Sequence, residues 1–242
     1  NNNFNSLLLN GSSDFISHDN LNLPSGNSDR SVVAWIKPGV GSFNDSGGNV
    51  ISYGLGDQPD VDPNQRFSLL IKDDTWELEI VGQSNDINTG IFLNPNQWNY
   101  IAVVLELNNL YIYHNVDDAV VIPINFPYQT ASDTPLMIGT NTQDRMDEYF
   151  GGGIDEVHVW DIALSYEDVL LFKDCSPEGS ESGLIFYSGY DNQSGDLYSD
   201  DTPNQSCVSV DTSDINNLIA GTYTAIVSDG NGCASSVDFT IL

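Results

Sequence analysis

The sequence predicts an all-β fold, a two-sheet antiparallel sandwich, on three observations. Short runs rich in β-branched and aromatic residues recur along the chain. Polar Asn/Asp clusters such as Asp73-Asp74, Asn108-Asn109 and Asp117-Asp118 separate them at hairpin spacing. Helical patterning is confined to one segment. The strands read in order as SVVAWIK (31–37), NVISY (49–53), RFSLLIK (66–72), TWELEIVG (75–82), WNYIAVVLEL (98–107), LYIYHNV (110–116) and AVVIPI (119–124). Within 75–80 the alternation is clean, with Trp76, Leu78 and Ile80 on one face and Glu77 and Glu79 on the other. The helix is SYEDVLLFK (165–173), with Ser165 placed to cap it, Asp168 placed to complete a capping box, and Val169, Leu170 and Phe172 as its apolar side. A late strand, LIFYSGYD (184–191), and a terminal hairpin around Asp229-Gly230-Asn231-Gly232 follow.

The chain divides by character into a sandwich (1–173), a late strand and acidic linker packing on the sandwich (174–206), and a C-terminal β-hairpin or partial module (207–242) too short for an independent Ig-like domain. The formal net charge is −29, from 35 acids against Lys37, Lys72, Lys173, Arg30, Arg66 and Arg145. Such a surface repels nucleic-acid phosphates and anionic membranes, and favours cations, neutral ligands or basic partners. No stretch approaches the ~20 apolar residues of a membrane span. Only eight of the acids are glutamates. Aspartate on this scale suits turns and loop-built metal sites more than acidic helices. A plain solubilising role for the charge is the competing explanation, though it leaves local clustering unexplained.

The densest cluster is GLGDQPDVDPNQRF (54–67), with Asp57, Asp60, Asp62 and Asn64 between two prolines. Asp60, Asp62 and Asn64 stand at i, i+2 and i+4, a spacing at which side chains converge in a curved loop. Calcium takes 6–8 oxygen ligands of this kind. The EF-hand pattern is absent, so this is a generic Asp-rich loop, and a solvated loop is the alternative. A second acidic loop holds Gln143, Asp144, Asp147 and Glu148, with Arg145 as a candidate ligand-binding residue or a competing internal neutraliser. Tyr53, Tyr149 and Phe150 flank the two loops and could stack on a sugar ring or pack in the rim or core.

The order of three motifs resembles the laminin-G-like, concanavalin A-like jelly rolls over about residues 5–172: the opening LLLNGSSDFISHDNLNLPSGNSDRSVVAWIKP, the hairpin NQWNYIAVVLELNNLYIYHNV, and the closing PLMIGTN…YFGGGIDEVHVWDIALSYEDV. The ISY strand, the acidic loop after it, and GGIDEVHVWDIALS (152–165) also resemble pentraxins. That resemblance implies Ca²⁺ held between Asp57–Asn64 and 142–148, where it would present open coordination positions to a glycan or glycoprotein. The second loop is shorter here than the pentraxin pattern. Related jelly rolls also imply a structural calcium joining Asn10 and Asp14 of the first turn to Asp155, against an alternative in which Asp155 bonds backbone amides. The tail NNLIAGTYTAIVSDGNGCASSVDFTI resembles repeats of Bacteroidetes surface adhesins, which implies a secreted or cell-surface parent and a larger multidomain chain.

Enzyme readings are thin. Laminarinase-type sandwiches use a Glu-x-Asp-x-x-Glu strand. Glu77 and Glu79 share a face, but Val81 and Gly82 follow where the third acid is needed, so a solvated strand face is expected. His18, His114 and His158 lack metal-ligand spacing, and His158 is expected to share an exposed face with Glu156. Of the three cysteines, Cys175 with Cys207 would tie the linker to the sandwich, and Cys207 with Cys233 would staple the terminal hairpin; the first is preferred. The expectation is a non-catalytic, calcium-dependent carbohydrate-binding or adhesion module. A protein-binding or spacer module with purely structural calcium is the alternative.

Overall fold

A computed structural model describes residues 5–39, 47–56, 64–82, 86–142, 148–190, 198–199, 221–228 and 234–241. In chain order the strands are β1 (Asn5–Asn10), β2 (Ile16–His18), β3 (Arg30–Pro38), β4 (Gly48–Gly54), β5 (Arg66–Ile71), β6 (Glu77–Val81), β7 (Ile87–Phe92), β8 (Asn99–Glu106), β9 (Asn109–His114), β10 (Val120–Pro123), β11 (Leu136–Ile138) and β12 (Gly151–Trp160). Helix α1 (Tyr166–Asp174) follows, then β13 (Leu184–Ser188), β14 (Tyr198–Ser199), β15 (Gly221–Ser228) and β16 (Ala234–Ile241).

Two antiparallel sheets stack as a jelly-roll sandwich. One runs β10-β9-β8-β3-β12-β1-β14, and the other β2-β11-β4-β5-β6-β7. β1 pairs with residues 151–154 of β12, and β13 with residues 157–160. β15 and β16 form a hairpin in register from Gly221↔Ile241 to Ser228↔Ala234, and the expected turn at 229–232 lies outside the described residues.

Period-two alternation builds the core. Val32, Ala34 and Ile36 of β3, Ile101, Val103 and Leu105 of β8, and Ile154 and Val159 of β12 face Phe67, Leu69 and Ile71 of β5 and Leu78 and Ile80 of β6. Each fully buried aliphatic or Phe side chain contributes about 1.5–3 kcal/mol. The other face of β3 and β8 is apolar too, because α1 covers it. Val33, Trp35, Tyr100, Ala102, Val104 and Trp160 pack with Leu164, Val169 and Phe172. That double burial is why SVVAWIK reads as a continuous apolar run.

The capping box forms as the sequence indicates. Ser165 Oγ accepts from Asp168 N–H while the Asp168 carboxylate accepts from Ser165 N–H. Trp35 Nε1 donates to Lys173 O (3.2 Å) and the Tyr100 hydroxyl to Val169 O (2.8 Å), pinning the helix to the sheet. Cys175, next after the helix, is disulfide-bonded. Cys207 and Cys233 lie outside the described residues.

Three expectations are corrected. β6 begins at Glu77 rather than at residue 75, because Trp76 has a left-handed φ of 62° that ends the pleat. Glu156 and His158 are buried, not exposed, at 2% and 0% of their surface. β13 and α1 close over that face, and a register shift after Asp155 breaks simple alternation. Glu77 and Glu79 are half-buried rather than solvated, with Lys72 Nζ 3.8 Å and 3.2 Å from their carboxylates.

Candidate functional site

Both acidic loops stand on β4. The first leaves it at Gly54, whose φ of 85° and lack of room matter, since a Cβ would overlap the Gln65 carbonyl oxygen. The foot of this loop is closed by Leu55 N–H to Gln65 O (2.9 Å) and braced from outside by Gln129 N–H to Asn64 O and Ala131 N–H to Gln65 O. Asn64 is buried with a φ of 69°, a conformation that asparagine tolerates. The second loop springs from Gly139, held by Gly139 N–H to Val50 O and Phe150 N–H to Gly139 O. It returns along β4, where Asn49 N–H donates to Glu148 O (3.0 Å). Asp57, Asp60 and Asp62 of the first loop, and Gln143, Asp144, Arg145 and Asp147 of the second, lie outside the described residues.

The two feet meet through side chains. Arg66, two residues after Asn64, places Nη1 3.8 Å from Glu148 Oε2. The same carboxylate oxygen accepts from Asn49 Nδ2 and from Asn141 Nδ2 (3.0 Å). Asn49 Oδ1 in turn accepts from Ser68 Oγ on the next outward position of β5. Asn49, Ser68 and Asn141 are fully buried, and the Arg66 side chain is 4% exposed against 18% for Glu148.

Beside Glu148 the rim carries two partly exposed rings. Tyr149 and Phe15 lie with centroids 6.4 Å apart at 43°. Phe15 escaped the sequence reading; its only signal is a large aromatic at the end of a polar turn. That turn is a closed hydrogen-bond system. Asn10 Oδ1 accepts from the backbone of Ser12, Ser13 and Asp14, and the Asp14 carboxylate accepts from Asn10 N–H and Ser13 Oγ. Asp155 is not brought to this turn. Asn10 pairs with Gly151, four residues away, roughly 13 Å at ~3.3 Å per residue. Asp155 Oδ1 accepts from Glu156 N–H (2.9 Å), the backbone-amide role. Tyr53 and Phe150 are core residues with no exposed surface, not rim rings.

The Laminin_G_3 family, described as the concanavalin A-like lectin/glucanases superfamily, matches residues 10–170, from the end of β1 into α1. The chain belongs to the concanavalin A-like lectin/glucanase superfamily. No curated protein sequence matches it. Among solved structures it is similar to domain 4 of AbnA, a GH43 extracellular arabinanase from Geobacillus stearothermophilus, in complex with arabinotriose: 24% identity, TM-score 0.53, covering 69% of this chain and 75% of that one. A Bacteroides ovatus protein described as carbohydrate binding gives 14% identity and a TM-score of 0.58 over 97% of this chain and 61% of that one. A heptameric SAP-like pentraxin from Limulus polyphemus gives 20% identity and a TM-score of 0.56 over 83% and 94%. At these identities the likeness is one of fold.

A calcium site built from the described residues would need several oxygen ligands converging on one point. No three His, Cys, Asp or Glu side chains cluster as metal ligands among the described residues. Glu148 does not fit the role: its Oε2 is engaged by two amide donors and faces a guanidinium, which repels a second cation. Asp14 is likewise engaged within its own turn. In this superfamily member Glu79 shows mixed electrostatics, with burial pushing its carboxyl up and Lys72 pulling it back down. Glu77 Oε1 accepts from Gly90 N–H (3.0 Å). The His18 and Phe186 rings lie 4.6 Å apart, tilted at 50°, and His114 Nε2 lies 3.0 Å from Asn99 Oδ1. Neither approaches the rim cluster through any contact among the described residues.

Proposed function

We propose that this domain is a non-catalytic carbohydrate-binding module of a secreted or cell-surface protein, and that its ligand lies on the rim formed by Phe15, Tyr149 and Glu148. The observation that carries the reading is the pair of partly exposed rings beside a carboxylate held in place from three sides. Aromatic faces accept the apolar C–H face of a sugar, and fixed polar groups select its hydroxyls. The superfamily and its carbohydrate-related structural relatives agree with that chemistry.

Calcium belongs to the proposal through Asp57, Asp60 and Asp62, together with Gln143, Asp144 and Asp147, on the strength of their clustering in sequence. Glu148 is left out of that ligand set. The non-catalytic part of the reading is supported by Glu77 and Glu79, which share Lys72 and are followed by Val81 and Gly82 where a laminarinase-type strand needs its third acid.

A glycan array followed by titration calorimetry, with and without EDTA, tests both layers. Glycan binding lost on chelation supports the full proposal. Binding indifferent to EDTA removes calcium but leaves the rim. No glycan binding, together with a fall in Tm on chelation, favours a protein-binding or spacer module of an adhesin with structural calcium.

A further inference from the structure

Arg66 is an odd residue for the place it occupies. Its side chain is 4% exposed, yet among the described residues Nε and Nη1 have no hydrogen-bond acceptor, and Glu148 lies beyond hydrogen-bond reach at 3.8 Å. A buried guanidinium gives up its hydration, and unpaired donors do not restore it. An apolar pair of similar volume in such a place is commonly as stable or more so. The fold therefore has little to gain from this pair.

The location suggests what it does instead. Arg66 heads β5 at the foot of the first loop, and Glu148 ends the second loop immediately before Tyr149. Asn49 and Asn141 supply hydrogen bonds to Glu148, but neither bears charge nor belongs to the first loop. Arg66 alone among these contacts ties one foot to the other. We propose that Arg66 is a positioning residue for the ligand rim, fixing Glu148 and hence the Tyr149–Phe15 floor, and that it is kept at the expense of stability. This rests on the carbohydrate reading above and adds the residue that organises its site.

The test uses the full 242-residue chain and compares wild type with Arg66→Met, Glu148→Gln and the double variant. Scanning calorimetry gives Tm. Titration calorimetry gives affinity for the strongest wild-type binder on a glycan array. The double variant is expected to keep its Tm within ~2 °C or raise it, while affinity falls about tenfold or more. Arg66→Met alone is expected to lower Tm further than the double variant, because it leaves Glu148 without a cation. A Tm loss above ~5 °C in the double variant overturns the inference and makes the pair an ordinary structural bridge. Unchanged affinity at unchanged Tm overturns it as well. If wild type binds no glycan, the carbohydrate reading itself fails and the rim role of Arg66 falls with it. That failure is separable because it appears before any variant is made.

Discussion

Two arginines are buried among the described residues of this sandwich, and they are buried differently. Arg30, at the start of β3, is fully enclosed and amply satisfied. Its Nε donates to Ser28 O (3.0 Å), Nη1 to Thr130 Oγ1 (2.9 Å) and Nη2 to Gly26 O (2.8 Å). Its guanidinium also lies 5.2 Å from the Phe67 ring centroid. No carboxylate lies within salt-bridge distance of it among the described residues, and none is needed, since carbonyls and a ring replace water. Arg66 has a carboxylate nearby and, among the described residues, no acceptor for Nε or Nη1. The first arrangement is how a fold uses a buried cation to close a corner. The second is how a site spends stability on geometry.

The largest expected effect separates the two. Arg30→Met takes the donor from Ser28 O and Thr130 Oγ1, and one of the donors from Ser25 O and Gly26 O, and should cost about 3 kcal/mol of unfolding free energy, read from urea midpoints. Arg66→Met paired with Glu148→Gln should cost almost nothing by the same measurement. Equal losses at the two positions would erase the distinction.

His158 sharpens it with a third solution, burial by giving up charge. Its Nδ1 accepts from Trp160 Nε1 (2.9 Å), and Phe172 and Tyr187 pack edge-on against its ring. Burial lowers its pKa to about 3. Below the ordinary histidine value of ~6.5 the unfolded chain takes a proton that the folded state refuses. The stability this position supplies is thus complete above pH ~6.5 and drains away as pH falls toward 3, by up to about 1.4 kcal/mol per pH unit. His158→Phe should flatten that part of the acid-unfolding profile, at the price of a pH-independent loss from the unpaired Trp160 N–H. An unaltered slope between pH 6.5 and 4 would show that His158 is protonated in the folded state.

The smallest effect concerns a feature that is fully satisfied at the surface. Ser165→Ala removes the acceptor for Asp168 N–H and should destabilise by about 1 kcal/mol, seen as a small drop in the thermal midpoint. Glycan affinity should not move, since α1 lies on the far face of the eight-stranded sheet from β4.

Much of the fold could be read from pattern because its rules are local. The strands from β3 to β6 and from β8 to β10 follow runs of β-branched and aromatic residues, and Ser165 with Asp168 announces the helix. The short β2 and β11, three residues each, carry too little pattern to stand out. What pattern cannot supply is which face is covered from outside. Tyr53 beside an acidic loop reads as a rim ring, yet the register shift between Asn49 and Ile51 and the contact with Arg30 turn it into core. Glu156 and His158 read as outward-facing until β13 and α1 are in place. The rim shows the same limit. Tyr149 and Glu148 are visible as an aromatic beside an acid, but Phe15 joins them only through the packing of a turn more than 130 positions away, and Arg66 looks like one more soluble cation until its burial is seen.

The account stands most directly on the two rings. Phe15→Ala/Tyr149→Ala in the full chain, titrated calorimetrically with the best glycan binder of the wild type, should lose affinity at least about tenfold, ~1.4 kcal/mol, while the far-UV spectrum and the loop-foot geometry are retained. Wild-type affinity in that double variant would place the ligand elsewhere and contradict the account.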